Sequence, residues 1–297
     1  MKLLLTGADG FVGSALCRER ACIALADEGG NIDLRDAERL RRAVARLKPD
    51  AVIHLAAQSF VPASFANPRE TYEVNFLGTL NLLEALKDAG FTGRLLFVGS
   101  GDAYGIVAPE DLPVDEVHPL RPRSPYAVSK VAAEALCYQW SQTEAFEIVM
   151  TRSFNHIGPG QSERFVVADF ARQVVAIRKG LLSPMIHTGD IDVTRDFTDV
   201  RDVVQAYLVL LERGRRGEVY NVCSGREHSI RDVLTELMAL AGVVAAVEKD
   251  PLRLRGAEQR RVCGSPRKLE RDTGWTQRYS LKTSLTDILS DWEARLR

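Results

Sequence analysis

Glycines at positions 7, 10 and 13, directly after the apolar run Leu3-Leu4-Leu5-Thr6, leave this chain few folds to choose from. A buried strand must run into a turn that glycine makes readily, and a helix must follow at once. Such a turn lets backbone N–H groups approach a pyrophosphate, and the dipole of the following helix favours the anion. The block Gly7-Ala8-Asp9-Gly10-Phe11-Val12-Gly13 is spaced Gly-x-x-Gly-x-x-Gly, not the commoner Gly-x-Gly-x-x-Gly. It predicts a dinucleotide cradle at Gly7, Gly10, Phe11, Val12 and Gly13. Ile23-Ala24-Leu25-Ala26 reads as the second strand. Asp27 at its end is placed either to accept from the adenosine ribose, which favours NADH over NADPH, or to be a plain loop acid.

Further along, apolar runs alternate with helical patterns. Ala51-Val52-Ile53-His54-Leu55, Leu95-Leu96-Phe97-Val98 and Ile148-Val149-Met150-Thr151 read as strands, with helices over 70–89 and 125–143 between them. The alternation predicts an α/β fold with a doubly wound parallel sheet. After Asn155 the pattern loosens, and glycine and proline recur, which predicts a smaller interleaved α/β lobe. Residues 1–155 are expected to form the dinucleotide-binding part, with 190–223 returning to it. Residues 156–189 and 224–297 are expected to form the second lobe.

Chemistry is carried by Ser100, which ends a strand-like run, and by Ser124-Pro125-Tyr126-Ala127-Val128-Ser129-Lys130. Tyrosine and lysine four apart lie one helical turn from each other on one face. A phenol titrates near 10, and a neighbouring ammonium would draw it toward neutral pH. Tyr126 is therefore a candidate proton donor and acceptor, with Ser100 and Lys130 beside it.

Composition excludes several other classes. At a net charge of −1, the chain has no electrostatic case for nucleic acid or an anionic membrane surface. No run approaches the roughly 18 apolar residues of a membrane span. Neither the cysteines nor the histidines form a metal-binding pattern. Cys17, Cys22, Cys137, Cys223 and Cys263 are odd in number and lack a Cys-x-x-Cys pair, which suits reduced thiols in the cytoplasm.

Read together, these blocks make the chain similar to the extended branch of the short-chain dehydrogenase/reductase family over nearly its whole length. The resemblance rests on the glycine turn, His54-Leu55-Ala56-Ala57-Gln58-Ser59, Asn75-Phe76-Leu77-Gly78-Thr79, Ser100 to Gly105, Tyr126 to Lys130, and Arg195-Asp196-Phe197. It implies that Ser100, Tyr126 and Lys130 are catalytic. It further implies that Asp33, Leu34, Leu55, Ala56, Ala57, Asn75 and Phe154 join the glycine turn in holding NADPH or NADH. Residues 152–161 and 189–197 resemble the GDP-mannose group of that family. Residues 255–262 are similar to its nucleotide clamp, in which Arg255 would meet a diphosphate and Glu258 a ribose, although Gly256 stands where the dehydratases commonly carry proline. A solvated basic face is the alternative for those arginines. Gln58, Asn155 and Arg195 are implied as further substrate contacts.

Within that group, dehydratases typically carry Thr-x-Glu where this chain has Ser100-Gly101-Asp102. The resemblance therefore favours a reductase that converts the 4-keto group of GDP-4-dehydro-6-deoxy-D-mannose to GDP-D-rhamnose, with Asp102 as a further catalytic or sugar-binding group. A 4,6-dehydratase or 4-epimerase with tightly bound cofactor is the nearer alternative, and a non-catalytic cofactor-binding protein the farther one. Family members pair through a four-helix interface. Leu80, Leu82, Leu83, Leu86, Leu136, Tyr138 and Trp140 accordingly predict a homodimer, with burial in the monomer's own core as the alternative for most of them.

Overall fold

The computed structural model describes residues 1–253 and 259–296. Strand β1 (Leu3–Thr6) is buried throughout, turns through the glycine block and enters helix α1 (Phe11–Glu19). Strand β2 (Ile23–Ala24) pairs parallel to β1 and ends two residues sooner than expected. Residues 26–31 instead form a small antiparallel hairpin of β3 (Ala26–Asp27) and β4 (Gly30–Asn31). Helix α2 (Ala37–Leu47) follows, with Asp36 accepting from the Arg39 N–H at its start.

Strand β5 (Ala51–His54) leads into α3 (Val61–Ala66) and α4 (Pro68–Tyr72). The single helix expected over 70–89 is interrupted by a π-turn at Glu73–Leu77 and resumes as α5 (Gly78–Asp88). Strand β6 (Arg94–Ser100), helix α6 (Pro125–Thr143) and strand β7 (Glu147–Ser153) lie where the pattern places them. Next come β8 (Asn155–Ile157), α7 (Val166–Arg178), β9 (Met185–Thr188), β10 (Thr194–Asp199), α8 (Val200–Arg213) and β11 (Val219–Val222). The chain closes with β12 (Glu227–Ser229), α9 (Ile230–Ala241), β13 (Ala246–Lys249), α10 (Arg267–Thr273) and α11 (Leu281–Arg295).

Six strands form one parallel sheet in the order β11-β7-β6-β5-β1-β2. Its central strands are apolar on both faces because helices cover both. On one side Leu40, Val44, Leu82, Leu86 and Cys137 of α2, α5 and α6 pack against Val52, Leu95 and Ile148. On the other, Leu16, Val203, Tyr207 and Leu210 of α1 and α8 pack against Leu5, Ile53, Leu96 and Val149. This is the doubly wound arrangement.

Strand β10 departs from expectation. It does not return to the large sheet but pairs antiparallel with β12 and parallel with β8, so the return begins at α8. The smaller lobe has its own core, in which Phe170, Val174, Leu234, Leu237, Leu285 and Trp292 of α7, α9 and α11 meet. The cysteines need a second correction. Cys17 and Cys22 are joined in a disulfide across the α1–β2 turn, while Cys137, Cys223 and Cys263 are free and buried. The thiol argument for a reducing compartment therefore loses two of its five residues. No helix among the described residues is long and apolar enough to cross a membrane.

Candidate active site

The dinucleotide side is built on the carboxyl ends of β1 and β5. Gly7 has φ +70°, and a side chain there would stand 2.9 Å from the Ala56 nitrogen. At Gly13 a Cβ would fall 2.2 Å from the Gly7 carbonyl oxygen, so helix α1 can close on the turn only with glycine at this position. No side chain caps α1 at Gly10, which leaves its first-turn N–H groups available to an anion. Beside this turn lies a cleft of about 170 Å³ lined by Thr6, Gly7, Ala8, Asp9, Leu34 and Ala56 together with Ala24, Leu25, Asn31 and Ile32. A backbone cradle closed by glycines and continued by a cleft of mixed polar and apolar lining fits a dinucleotide.

Beneath the cradle runs a buried polar column that the sequence reading did not identify. His54 shares hydrogen bonds with Thr6 Oγ1 (2.7 Å) and Thr79 Oγ1 (2.9 Å), and Thr6 Oγ1 accepts from the Ala56 N–H (3.0 Å). Burial pushes His54 down to about 3, so it is a neutral brace. Its position at the end of a fully apolar strand was the available signal.

Several expected cofactor or substrate residues are already engaged. Asp27 does not line the cleft; its carboxylate accepts from Arg39 Nε at 2.6 Å, from Arg39 Nη2 and from the Gly29 N–H. Asp33 accepts three bonds from the Arg35 side chain and its backbone N–H as a fourth. Gln58 spends its amide internally, donating to Thr71 Oγ1 and accepting from the Phe60 N–H. Asn75, on the π-turn, donates to the Gln58 carbonyl and Ser129 Oγ and accepts from the Gln58 N–H. It therefore fastens the loop of Leu55, Ala56 and Ala57 to helix α6. Phe154 lies behind Gly101, where a Cβ would touch its ring at 3.1 Å. There it supports the Ser100 turn, 6.2 Å between ring centres from Tyr104.

The chemical groups converge at the end of β6. Ser100 is buried and caps the short 3-10 turn Gly101–Tyr104, accepting from the Asp102 N–H at 3.2 Å. Helix α6 starts with Ser124 as cap and Pro125 in its first turn, which puts Tyr126 one turn before Lys130. Burial raises the Tyr126 phenol well above its ordinary range, and the Asp102 carboxylate raises it further. The Ser100 hydroxyl lies against the phenol and pulls the other way. The phenol is thus raised where the Tyr-Lys spacing predicts that it is lowered. Lys130 Nζ donates to the Val98 carbonyl (2.9 Å) and sits 5.3 Å from the Phe97 ring centre. Burial brings it down to about 8.

A second buried network, also missed, holds the Ser100 turn from behind. The Tyr104 hydroxyl donates to Asn221 Oδ1 (2.7 Å) and accepts from Arg152 Nη1 (3.0 Å), while Arg152 forks onto Glu134. Arg195 on β10 donates to the Thr194 and Gln259 carbonyls. Asn155, the first residue of β8, is exposed opposite Phe197. Next to Arg195, buried Asp196 accepts from the Ser224 N–H and hydroxyl, the Gly225 N–H and the Gly264 N–H. Arg255 and Glu258 lie outside the described residues. No cluster of His, Cys, Asp and Glu among the described residues could hold a metal.

Comparison with known proteins agrees with this geometry. The family model for GDP-mannose 4,6 dehydratase matches residues 30–288. The chain is 49% identical to a GDP-6-deoxy-D-mannose reductase of Pseudomonas aeruginosa, over 100% of this chain and 98% of the relative. It is 27% identical to a GDP-mannose 4,6-dehydratase of Vibrio cholerae, over 87% of this chain and 76% of that one. The structure of RMD from Pseudomonas aeruginosa complexed with NADPH superposes with a TM-score of 0.93 at 47% identity, over 99% of this chain and 100% of that one. A Thermus thermophilus UDP-glucose 4-epimerase complexed with NAD follows at 0.86 and 33%, over 98% and 99% of the two chains. With glycine cradle, Ser-Tyr-Lys corner and this near-complete alignment in agreement, the chain belongs to the GDP-mannose 4,6 dehydratase family within the extended short-chain dehydrogenase/reductases.

Proposed function

We propose that the protein is an NAD(P)H-dependent nucleotide-sugar oxidoreductase that reduces the 4-keto group of GDP-4-dehydro-6-deoxy-D-mannose to give GDP-D-rhamnose. The observation that carries this reading is the state of Tyr126. Its phenol is half-buried and lies against the buried Ser100 hydroxyl with the Asp102 carboxylate close by, surroundings that raise it so that it keeps its proton. A phenol held protonated is a donor, which a carbonyl reduction requires.

A bound reduced nicotinamide would supply a hydride to the sugar carbonyl carbon. Tyr126 then gives its proton to the carbonyl oxygen, so that one C–H and one O–H bond form as the C=O double bond is lost. The Ser100 hydroxyl donates to the same oxygen as charge develops there. Lys130 holds the nicotinamide ribose and supplies positive charge beneath the phenol. Asp102 keeps Tyr126 in its acid form and orients a sugar hydroxyl. Arg255 and Glu258 clamp the nucleotide diphosphate and ribose, forked guanidinium donors matching phosphate oxygens. Asn155 and Arg195 face the sugar.

The division of labour follows the fold. Residues 1–155 and the segment returning through α8 and β11 hold the dinucleotide, and residues 156–189 and 224–297 hold the substrate. A homodimer through α5 and α6 is part of this reading. The monomer itself buries Leu82, Leu83 and Leu86, whereas Tyr72, Leu77, Val128 and Tyr138 on this side remain exposed. The cytoplasm, where reduced nicotinamide and nucleotide sugars are supplied, is the proposed location.

The test mixes the protein with GDP-4-dehydro-6-deoxy-D-mannose and NADPH, or separately NADH, and follows the absorbance of the reduced cofactor. Stoichiometric oxidation with the rhamno sugar identified by NMR is expected. Conversion of GDP-mannose to the 4-keto sugar without net oxidation would make the protein a dehydratase instead. Arg255→Ala should raise the KM for the sugar nucleotide, and an unchanged KM would remove the clamp.

A further inference from the structure

Beyond residues 255–258, to which the nucleotide is assigned, the chain returns to the reacting groups through a residue that the mechanism does not use. Gln259 comes next in the sequence and is half-buried. Its amide Nε2 donates to the carbonyl of Gly105. Its own backbone carbonyl accepts from Arg195 Nη1 at 2.9 Å. One residue thus joins β10 of the smaller lobe to the loop that leaves the Ser100 turn.

From Gly105 the connection runs on to Ser100 without a break. The Gly105 N–H donates to the Asp102 carbonyl at 3.2 Å, and the Asp102 N–H donates to Ser100 Oγ at 3.2 Å. Gly105 is buried at φ +68°, where a Cβ would collide with the Arg121 carbonyl oxygen. Only glycine fits there, so the turn ends in a fixed peptide whose carbonyl meets Gln259. Packing between the two segments is otherwise incomplete. Gly101, Tyr104 and Gly105 on one side and Gln259, Val262 and Cys263 on the other line a small cleft. The rest of the returning segment is tied elsewhere. Arg260 binds Asp190, Arg261 binds Glu227, and the Gly264 N–H donates to Asp196.

Binding energy from a remote part of a substrate raises turnover when it is used to set the reacting groups. We propose that Gln259 is a positioning residue that couples the nucleotide to the chemistry. A nucleoside diphosphate held at residues 255–258 fixes Gln259, and Gln259 holds the Gly105 carbonyl and, through it, the turn that carries Ser100 and Asp102. It acts through Gly105 and not on the reacting atoms. The inference rests on the clamp reading of residues 255–258 but not on the direction in which the sugar is oxidised or reduced.

The probe is GDP alone, and the first readout is amide hydrogen exchange on the full chain. Saturating GDP should slow exchange of the Asp102 and Gly105 N–H groups by about five- to tenfold in the unmodified protein. Gln259→Met and Gln259→Glu both keep the length of the side chain and remove its donor. In each variant the GDP dissociation constant, measured by calorimetry, should stay within about threefold of the original while the slowing at 102 and 105 is lost. Turnover with saturating sugar nucleotide and NADPH should fall by about the same five- to tenfold, with KM nearly unchanged. Slowing that persists in both variants, or that is absent from the unmodified protein with GDP bound, overturns the proposal. So does a KM that rises while kcat holds, or a loss of GDP affinity and melting temperature together, which would mark a merely structural role. If GDP does not bind the unmodified protein, the clamp reading falls and the proposal with it.

Discussion

Lys130 and Asp196 are both buried charged residues, at 6% and 0% exposure, yet their surroundings differ completely. Among the described residues, the ammonium of Lys130 has one hydrogen-bond acceptor, the Val98 carbonyl. Asp196 is met by four donors from Ser224, Gly225 and Gly264. Burial opposes the charge in each case, raising Asp196 and lowering Lys130. Only at Asp196 does the protein itself supply the hydrogen bonds that water would have given. A buried charge with all its bonds made serves the fold. One left with spare donors beside candidate reacting groups is placed to serve a ligand.

The largest effect should come from the group that Lys130 and Ser100 surround. Tyr126→Phe removes the proton donor but no packing volume. Turnover should fall by about 10²–10⁴-fold, while NADPH binding followed by fluorescence titration stays as it was. An active variant would remove Tyr126 from the chemistry and, with it, the functional half of the comparison.

On the structural side, Asp196→Ala strips four donors of their acceptor at the point where β10, the β11–β12 turn and the segment at Gly264 meet. A loss of about 3 kcal/mol in urea-induced unfolding is expected, with the exchange protection of β12 lost first. If stability is unchanged but the sugar nucleotide binds more weakly, Asp196 belongs with the substrate residues.

Tyr104→Phe is a milder probe of the same kind. It leaves Asn221 Oδ1 without its donor and removes one acceptor from Arg152, which keeps Glu134 and the Glu116 carbonyl. A cost of about 1–2 kcal/mol is expected by thermal melting. Because this network backs the Ser100 turn, kcat should fall more than KM rises.

The two regions also differed in how far the sequence revealed them. In the large sheet, apolar runs such as Leu95–Val98 announce strands buried on both faces, and the glycines and the Tyr-Lys spacing place the site at their ends. Strand β10 was harder to read. Arg195-Asp196-Phe197-Thr198-Asp199 looks polar, and only tertiary contacts explain why Asp196, Thr198 and Asp199 are buried. The hairpin at 26–31 is too short for any periodicity to show, and the partner that captures Asp27 comes from a helix twelve residues on. The π-turn was likewise hidden. Gly78 packs so closely on Leu34 that a Cβ would stand 2.7 Å from its side chain, a long-range constraint with no local signature. The Cys17–Cys22 pair matched no spacing that signals redox or metal chemistry.

Lys130 offers the smallest effect and the sharpest test of the comparison, because the sign is unusual. Its folded value is about 8 against an ordinary 10.5. Below pH 8 the residue is protonated both folded and unfolded, and the folded state carries the full burial penalty. Between pH 8 and 10.5 the native lysine releases its proton while the unfolded one keeps it, so stability rises with pH across that window. Lys130→Met removes the penalty at the expense of the Val98 hydrogen bond. In the absence of cofactor the variant should be more stable at pH 7 by roughly 1 kcal/mol, and the gain should shrink as pH rises past 8. NADPH affinity should move the other way, falling in the variant. In the unmodified protein it should weaken as pH climbs through 8 and the ammonium is lost. A residue kept for structure would lose stability on replacement, as Asp196 should; a gain in stability paired with lost affinity identifies a charge the fold bears for the sake of its ligand.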